Sequence, residues 1–220
     1  MHFLCLHGMG TNSSVFEMQT AAVRYNLGDH HTFDFVEGTI PVPIAPELEG
    51  ILSPDDDYFA YFDPENLETC RKALVDISTI VETDGPYDGV IAFSQGAALA
   101  NTYIVNRIWQ DPSGQVMDPV FKCAIYFSGG LPADPLAMKD GLLRLLDFSI
   151  DGQVIEIPTA CIWGQNDLEY PPKLAALCYE GSREIFVHNG GHEVPASDDA
   201  AVTTCVKLIR RTIDRALHRQ

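Results

Sequence analysis

Short apolar runs recur along the chain, each followed by a stretch long enough for a helix. Phe3-Leu4-Cys5-Leu6, Val90-Ile91-Ala92-Phe93 and Cys123-Ala124-Ile125-Tyr126-Phe127 are the clearest. Thr159 to Trp163, Ile185 to Val187 and a weaker run from Thr32 to Val36 complete the set. Runs apolar at every position, rather than at alternate ones, are the pattern of parallel strands covered by helices on both faces. Nearly all are followed by Gly, Ser or His, where the loops of an open α/β sheet meet ligands.

Helical spacing fills the intervals. Val15 to Leu27 is opened by the capping residues Asn12-Ser13-Ser14. Asn66 to Glu82 places Leu67, Cys70, Leu74, Ile77 and Val81 on one face, and Gln95 to Trp109 begins with small residues that let a helix sit close to a sheet. Ala196 to Leu217 has Val202, Val206, Ile209, Ile213 and Ala216 inward, Lys207, Arg211 and Arg215 outward, and Arg210 spaced to pair with Asp214. The alternation predicts one α/β domain over residues 1–220, with a mostly parallel sheet of about six strands flanked by helices on both faces.

Residues 37–65 break that rhythm with Pro41, Pro43, Pro46, Pro54 and Pro64, the acidic Asp55-Asp56-Asp57 and the aromatics Tyr58, Phe59, Tyr61 and Phe62. A loop this long is usually functional or disordered, and its aromatics argue against disorder. The segment reads as a lid or pocket wall; the alternative is an ordered loop that packs its aromatics into a satellite core.

The 220 residues carry 14 Lys and Arg against 31 Asp and Glu, a formal charge of −17. Nucleic-acid binding, which needs a basic footprint, is disfavoured. No apolar run approaches the ~20 residues that cross a bilayer. The six cysteines are scattered without a C-x-x-C pair, as expected of buried reduced thiols. Without a secretory or lipidation signal, the expected location is cytoplasmic. No H-E-x-x-H, phosphate-loop or dinucleotide motif is present, so neither a metal nor a cofactor is expected.

Ala92-Phe93-Ser94-Gln95-Gly96 has the context of a nucleophile elbow: a strand, a tight turn carrying a serine, then a helix. The blander alternative is a strand-to-helix junction with Ser94 as an N-cap. A serine nucleophile needs a base oriented by an acid, in the chain order Ser, acid, His. Asp167 follows the strand Thr159 to Trp163, and His192 lies in the glycine-flanked loop after Ile185 to Val187. The oxyanion of acyl transfer calls for two backbone donors. Gln95, just after the nucleophile, and Met9, in the loop Leu6-His7-Gly8-Met9-Gly10, are the candidates. His7 is expected to shape that loop through hydrogen bonds.

The chain resembles the fungal family of small serine hydrolases in the α/β-hydrolase superfamily, a group that includes an esterase encoded by an ovarian-cancer-associated gene and stand-alone thioesterases of polyketide pathways. The resemblance rests on Leu4 to Gly8, Tyr58 to Asp63, Ala92 to Gly96, Phe127 to Pro132, Trp163 to Asp167 and Gly190 to Pro195. Ala92 departs from the usual glycine of the elbow. The resemblance implies an α/β-hydrolase fold, with Ser94 as nucleophile, Asp167 as acid and His192 as base.

On this basis Tyr58, Phe59 and Leu131 are the expected substrate contacts. The reaction is expected to cleave acyl esters or thioesters, releasing a polyketide or fatty acyl chain from a carrier. An acyl carrier domain would then need a basic docking face, for which Lys207, Arg210, Arg211, Arg215 and Arg219 are available. The alternatives are a general carboxylesterase for small acyl esters and a non-catalytic ligand-binding relative.

Overall fold

The computed structural model describes residues 1–110, 119–196 and 198–218. The strands are β1 (His2–Leu6), β2 (Thr32–Val36), β3 (Ile40–Pro41), β4 (Phe59–Ala60), β5 (Gly89–Phe93), β6 (Cys123–Phe127), β7 (Thr159–Gly164) and β8 (Arg183–His188). The α-helices are α1 (Ser13–Leu27), α2 (Leu67–Thr83), α3 (Gln95–Gln110), α4 (Pro135–Lys139), α5 (Phe148–Asp151), α6 (Tyr170–Leu177) and α7 (Asp199–Leu217). Among the described residues, six strands form one parallel sheet in the order β2-β1-β5-β6-β7-β8.

The alternation of side chains along each strand explains why the strands are apolar throughout. Phe3, Cys5, Ile91, Phe93, Ile125 and Phe127 face a core that includes Phe16 of α1 and Val202 and Ile209 of α7. Leu4, Leu6, Val90, Ala92, Ala124 and Tyr126 face the opposite core, with Ile77 of α2 and Tyr103 of α3. Each fully buried Leu, Ile or Phe contributes about 1.5–3 kcal/mol. The chain reverses its direction across the sheet between β1 and β5, and such a switch point opens a crevice at the carboxyl ends of the strands.

Caps set the helix starts. Asn12 Oδ1 accepts from the Val15 amide at 2.8 Å and starts α1 at Ser13. Asp198 accepts from Ala200 at 2.9 Å and Ala201 at 3.2 Å, so α7 begins at Asp199 and not at Ala196. The expected Arg210–Asp214 pair gives way to a bond from Arg210 to the Asn26 carbonyl, 2.8 Å away at the end of α1. The six cysteines are buried with free thiols.

Residues 37–65 are tied down at both ends. β3 and β4 pair antiparallel, and Tyr61 is buried with its hydroxyl donating to the Val36 carbonyl at 2.8 Å. Between those anchors the chain makes a single 3₁₀ turn, Pro46–Leu48, before returning to β4.

Candidate active site

Ser94 stands at the end of β5 with φ 49°, a left-handed turn between strand and helix. Glycine makes the turn possible by letting backbones approach. A Cβ on Gly96 would lie 2.4 Å from the Leu6 carbonyl oxygen and 2.7 Å from that of His7. Gly96 instead donates its amide to the His7 carbonyl at 3.1 Å, which locks α3 to the loop after β1. Ser94 donates its amide to Phe127 O at 3.1 Å and accepts from the Gly130 amide at 3.0 Å, so the end of β6 braces the same turn.

The neighbouring strand ends bring the other two groups. A Cβ on Gly164 would lie 2.3 Å from the carbonyl oxygens of both Gly190 and Gly191. Its absence lets the loop after β7 press against the loop after β8, where the Asn166 amide donates to Gly190 O at 3.1 Å. The structure thereby brings Ser94, His192 and Asp167 together. His192 Nε2 lies 2.9 Å from Ser94 Oγ, and its Nδ1 lies 2.6 Å from Asp167 Oδ1. The Asp167 side chain is 1% exposed and that of His192 17%.

Burial pushes the Asp167 carboxyl upward, but the His192 ring, the Ser128 hydroxyl and the Leu168 amide more than offset it and hold it below the ordinary carboxylate range. The ionised carboxylate accepts from Nδ1–H, leaving the Nε2 lone pair to accept from the Ser94 hydroxyl.

The loop after β1 is built around a fully buried imidazole. His7 Nδ1 donates to Gly8 O at 2.7 Å, and its Nε2 accepts from the Gly38 amide at 2.9 Å. Thr11 adds a bond to Gly8 O at 2.8 Å. Burial holds His7 below its ordinary pKa, which favours this neutral form. Among the described residues neither the Met9 nor the Gln95 amide donates to another group. The Gln95 side chain is engaged: Oε1 accepts from the Tyr61 amide and Nε2 donates to Phe62 O, both at 2.8 Å.

A cleft of about 380 Å³ opens beside Ser94 and His192. Met9, Val42, Ile44, Leu48 and Leu168 give it an apolar wall, and Gln19 and Glu47 add polar groups. The expected contacts Tyr58, Phe59 and Leu131 lie outside that lining. Tyr58 is turned into the protein, donating its hydroxyl to Ser53 O at 2.7 Å. Phe59 pairs through its backbone with Thr11 and Pro41, and Leu131 packs on the core beneath α3.

The aromatics near Tyr58 thus pack inward while the proline-rich turn before them lines the cleft. No pattern of spacing singles out Val42, Ile44 and Leu48, which line the cleft beside Ser94 only after the chain folds back at β4. Ser128, by contrast, stands in the Phe127-Ser128-Gly129-Gly130 strand end, a signal the sequence does carry.

On the proposed docking face, Arg211 and Arg215 both reach Glu184, at 3.7 and 2.8 Å. Arg219 lies outside the described residues. Among the described residues no helix is long and apolar enough to cross a membrane, and no cluster of His, Cys, Asp or Glu is arranged to hold a metal ion.

This parallel sheet with a half-buried serine at the end of its third strand, β5, is the architecture of the α/β hydrolases. A family model for serine hydrolases, FSH1, matches residues 1–204, and the chain belongs to that family, which makes it a serine esterase or hydrolase. It is similar to "Esterase FPY3" of Fusarium mangiferae, with 35% identity over 222 residues and 99% of each chain covered. "Hydrolase phiM" of Fungal sp. (strain ATCC 74256) is 29% identical over 198 residues, covering 88% of this chain and 86% of that one.

Among solved structures, Arabidopsis thaliana SOBER1 aligns with a TM-score of 0.59 and 15% identity, over 97% of this chain and 99% of that one. A carboxylesterase from Mesorhizobium loti aligns with a TM-score of 0.58 and 15% identity, over 95% and 88%. At these identities the likeness is one of fold.

Proposed function

We propose that the protein hydrolyses acyl esters or thioesters through an acyl-enzyme on Ser94, with His192 as base and Asp167 as the acid that orients it. The observation that carries this reading is the His192 ring bridging Ser94 Oγ at 2.9 Å and Asp167 Oδ1 at 2.6 Å at the edge of an apolar cleft. As Ser94 Oγ attacks the carbonyl carbon, its proton passes to His192 Nε2. The amides of Met9 and Gln95 stabilise the oxyanion, their freedom from other bonds supporting that role. Collapse expels the alcohol or thiol, which takes the proton from Nε2. Water then attacks the acyl-enzyme, giving its proton to Nε2, and the second collapse releases the acid and restores Ser94.

Residues 37–65 form the wall of the acyl pocket within a single domain. The apolar lining from Val42 to Leu48 supports an aliphatic or aromatic acyl chain, and Glu47 at the cleft disfavours an anionic one. Release of a polyketide or fatty acyl chain from a carrier is the finer form of this reading. The arginines of α7 lend it little support, since Arg210, Arg211 and Arg215 already have partners within the chain. An oxygen ester is the better first substrate, a reading that agrees with the relatives named esterase and hydrolase.

Intact-mass spectrometry after exposure to a fluorophosphonate tests the nucleophile. Wild type is expected to gain one adduct and Ser94→Ala and His192→Ala none; labelling of Ser94→Ala would overturn the assignment. Matched oxygen esters and thioesters of one acyl group then separate the two leaving groups by kcat/KM.

A further inference from the structure

The Asp167 carboxylate is only half satisfied. Its Oδ1 takes both bonds, from His192 Nδ1 at 2.6 Å and from the Leu168 amide at 2.7 Å. Oδ2 is buried and accepts no formed hydrogen bond. The complementary orphan lies on the neighbouring strand end: Ser128 is 1% exposed and its Oγ has no partner. A buried hydroxyl and a buried carboxylate oxygen left unpaired are both costly, and each is what the other lacks.

The backbone gives a second reason to look at Ser128. Its φ is 48°, a conformation that glycine adopts freely and serine rarely, and two glycines follow it directly. The Ser128 amide donates to Ile162 O at 2.8 Å, fixing the residue against β7, the strand that leads to Asp167. The hydroxyl lies near enough to count among the donors that hold the Asp167 carboxyl below its ordinary range.

We infer that Ser128 is a positioning residue whose hydroxyl donates to Asp167 Oδ2, holding the carboxylate ionised and turned toward His192. The inference rests on the Ser94–His192–Asp167 reading. Without this donor the carboxylate swings more freely, and its undivided charge falls on the imidazole and favours the protonated ring. The base is then neutral only at higher pH.

Two variants test this. Ser128→Ala deletes the hydroxyl and keeps the strained backbone; Ser128→Gly deletes the hydroxyl and relieves the strain. Both are measured for p-nitrophenyl butyrate hydrolysis across pH, for the rate of fluorophosphonate labelling and for thermal midpoint. Both are expected to lower kcat about tenfold, to leave KM within about twofold and to raise the acid limb of kcat/KM by about half a pH unit. Ser128→Gly should do so with a midpoint at or above that of wild type, which removes misfolding as the cause.

Wild-type kcat and pH profile in both variants would overturn the inference while leaving the triad standing. A loss in Ser128→Ala that is absent from Ser128→Gly would also overturn it, by assigning the effect to the backbone. Labelling of Ser94→Ala would remove the triad reading itself and the inference with it.

Discussion

Two serines end adjacent strands of the sheet in nearly the same backbone conformation, Ser94 after β5 with φ 49° and Ser128 after β6 with φ 48°. The residues before them, Phe93 and Phe127, are register partners. Ser94 runs straight into the helix Gln95–Gln110, so its hydroxyl stands at a helix N-terminus beside an unengaged amide. Ser128 runs into Gly129 and Gly130, and α4 begins only at Pro135. One hydroxyl meets an imidazole at the rim of a cleft, and the other is buried without a formed hydrogen bond. The left-handed turn is therefore common to both, and what distinguishes Ser94, the proposed nucleophile, is the imidazole that lies opposite its hydroxyl.

The contrast breaks first at the proposed nucleophile. Ser94→Ala should lower kcat by about 10⁴-fold or more in a protein that still folds, measured by ester hydrolysis and circular dichroism. Asp167→Asn should cost about 10⁴-fold by favouring the wrong tautomer of His192. Gly96→Ala attacks the turn itself: its Cβ has no room beside the Leu6 and His7 carbonyls. A loss of about 1–3 kcal/mol in denaturant unfolding is expected, with reduced turnover in whatever folds.

Farther from the reacting atoms, Ile44→Ala should lower kcat/KM about tenfold for a long acyl ester and by less than about twofold for an acetyl ester. An equal loss on both would place Ile44 outside the acyl pocket. The smallest effect comes from the third strand end, at His7. Burial depresses its pKa in the folded state, so the unfolded chain binds the proton more readily. Stability is full above the ordinary histidine range and declines as pH falls below about 6.5. The depressed His31 acts in the same direction. Thermal midpoints between about pH 8 and pH 5 should fall with acidification; a flat profile would show that folding does not depress the proton affinity of these histidines.

The strands and the residues at their ends were legible in the sequence because burial on both faces leaves one unbroken apolar run per strand. Ser94, Asp167 and His192 each follow such a run, and the structure brings them within hydrogen-bonding distance of one another. The wall of the cleft was not legible in the same way. Tyr58 and Phe59 are the conspicuous residues of their segment, yet Tyr58 is buried in the interior and Phe59 serves the β3–β4 pairing through its backbone. Val42, Ile44 and Leu48 look unremarkable in sequence, and only the fold-back at β4 carries them to Ser94. Partner choice over long separations hid two further contacts: Arg210 finds Asn26, and Arg215 finds Glu184, in place of neighbours along the helix.

The segment around the cleft is stitched at several points to the parts that surround the serine. Gly10 donates to Phe59 O at 3.0 Å, Ala45 donates to Gly10 O at 2.9 Å, and Gln95 grips the backbone of Tyr61 and Phe62. The stitches divide the segment into two inheritances. The anchors are shared with the machinery around Ser94, so changes there are bound to be paid in turnover. The stretch from Pro46 to Asp56 between the stitches is a cassette that brings Pro46, Glu47 and Leu48 to the cleft: exchanging it with that of a relative should shift acyl preference in part, with Val42 and Ile44 left in place, while the serine keeps its reactivity.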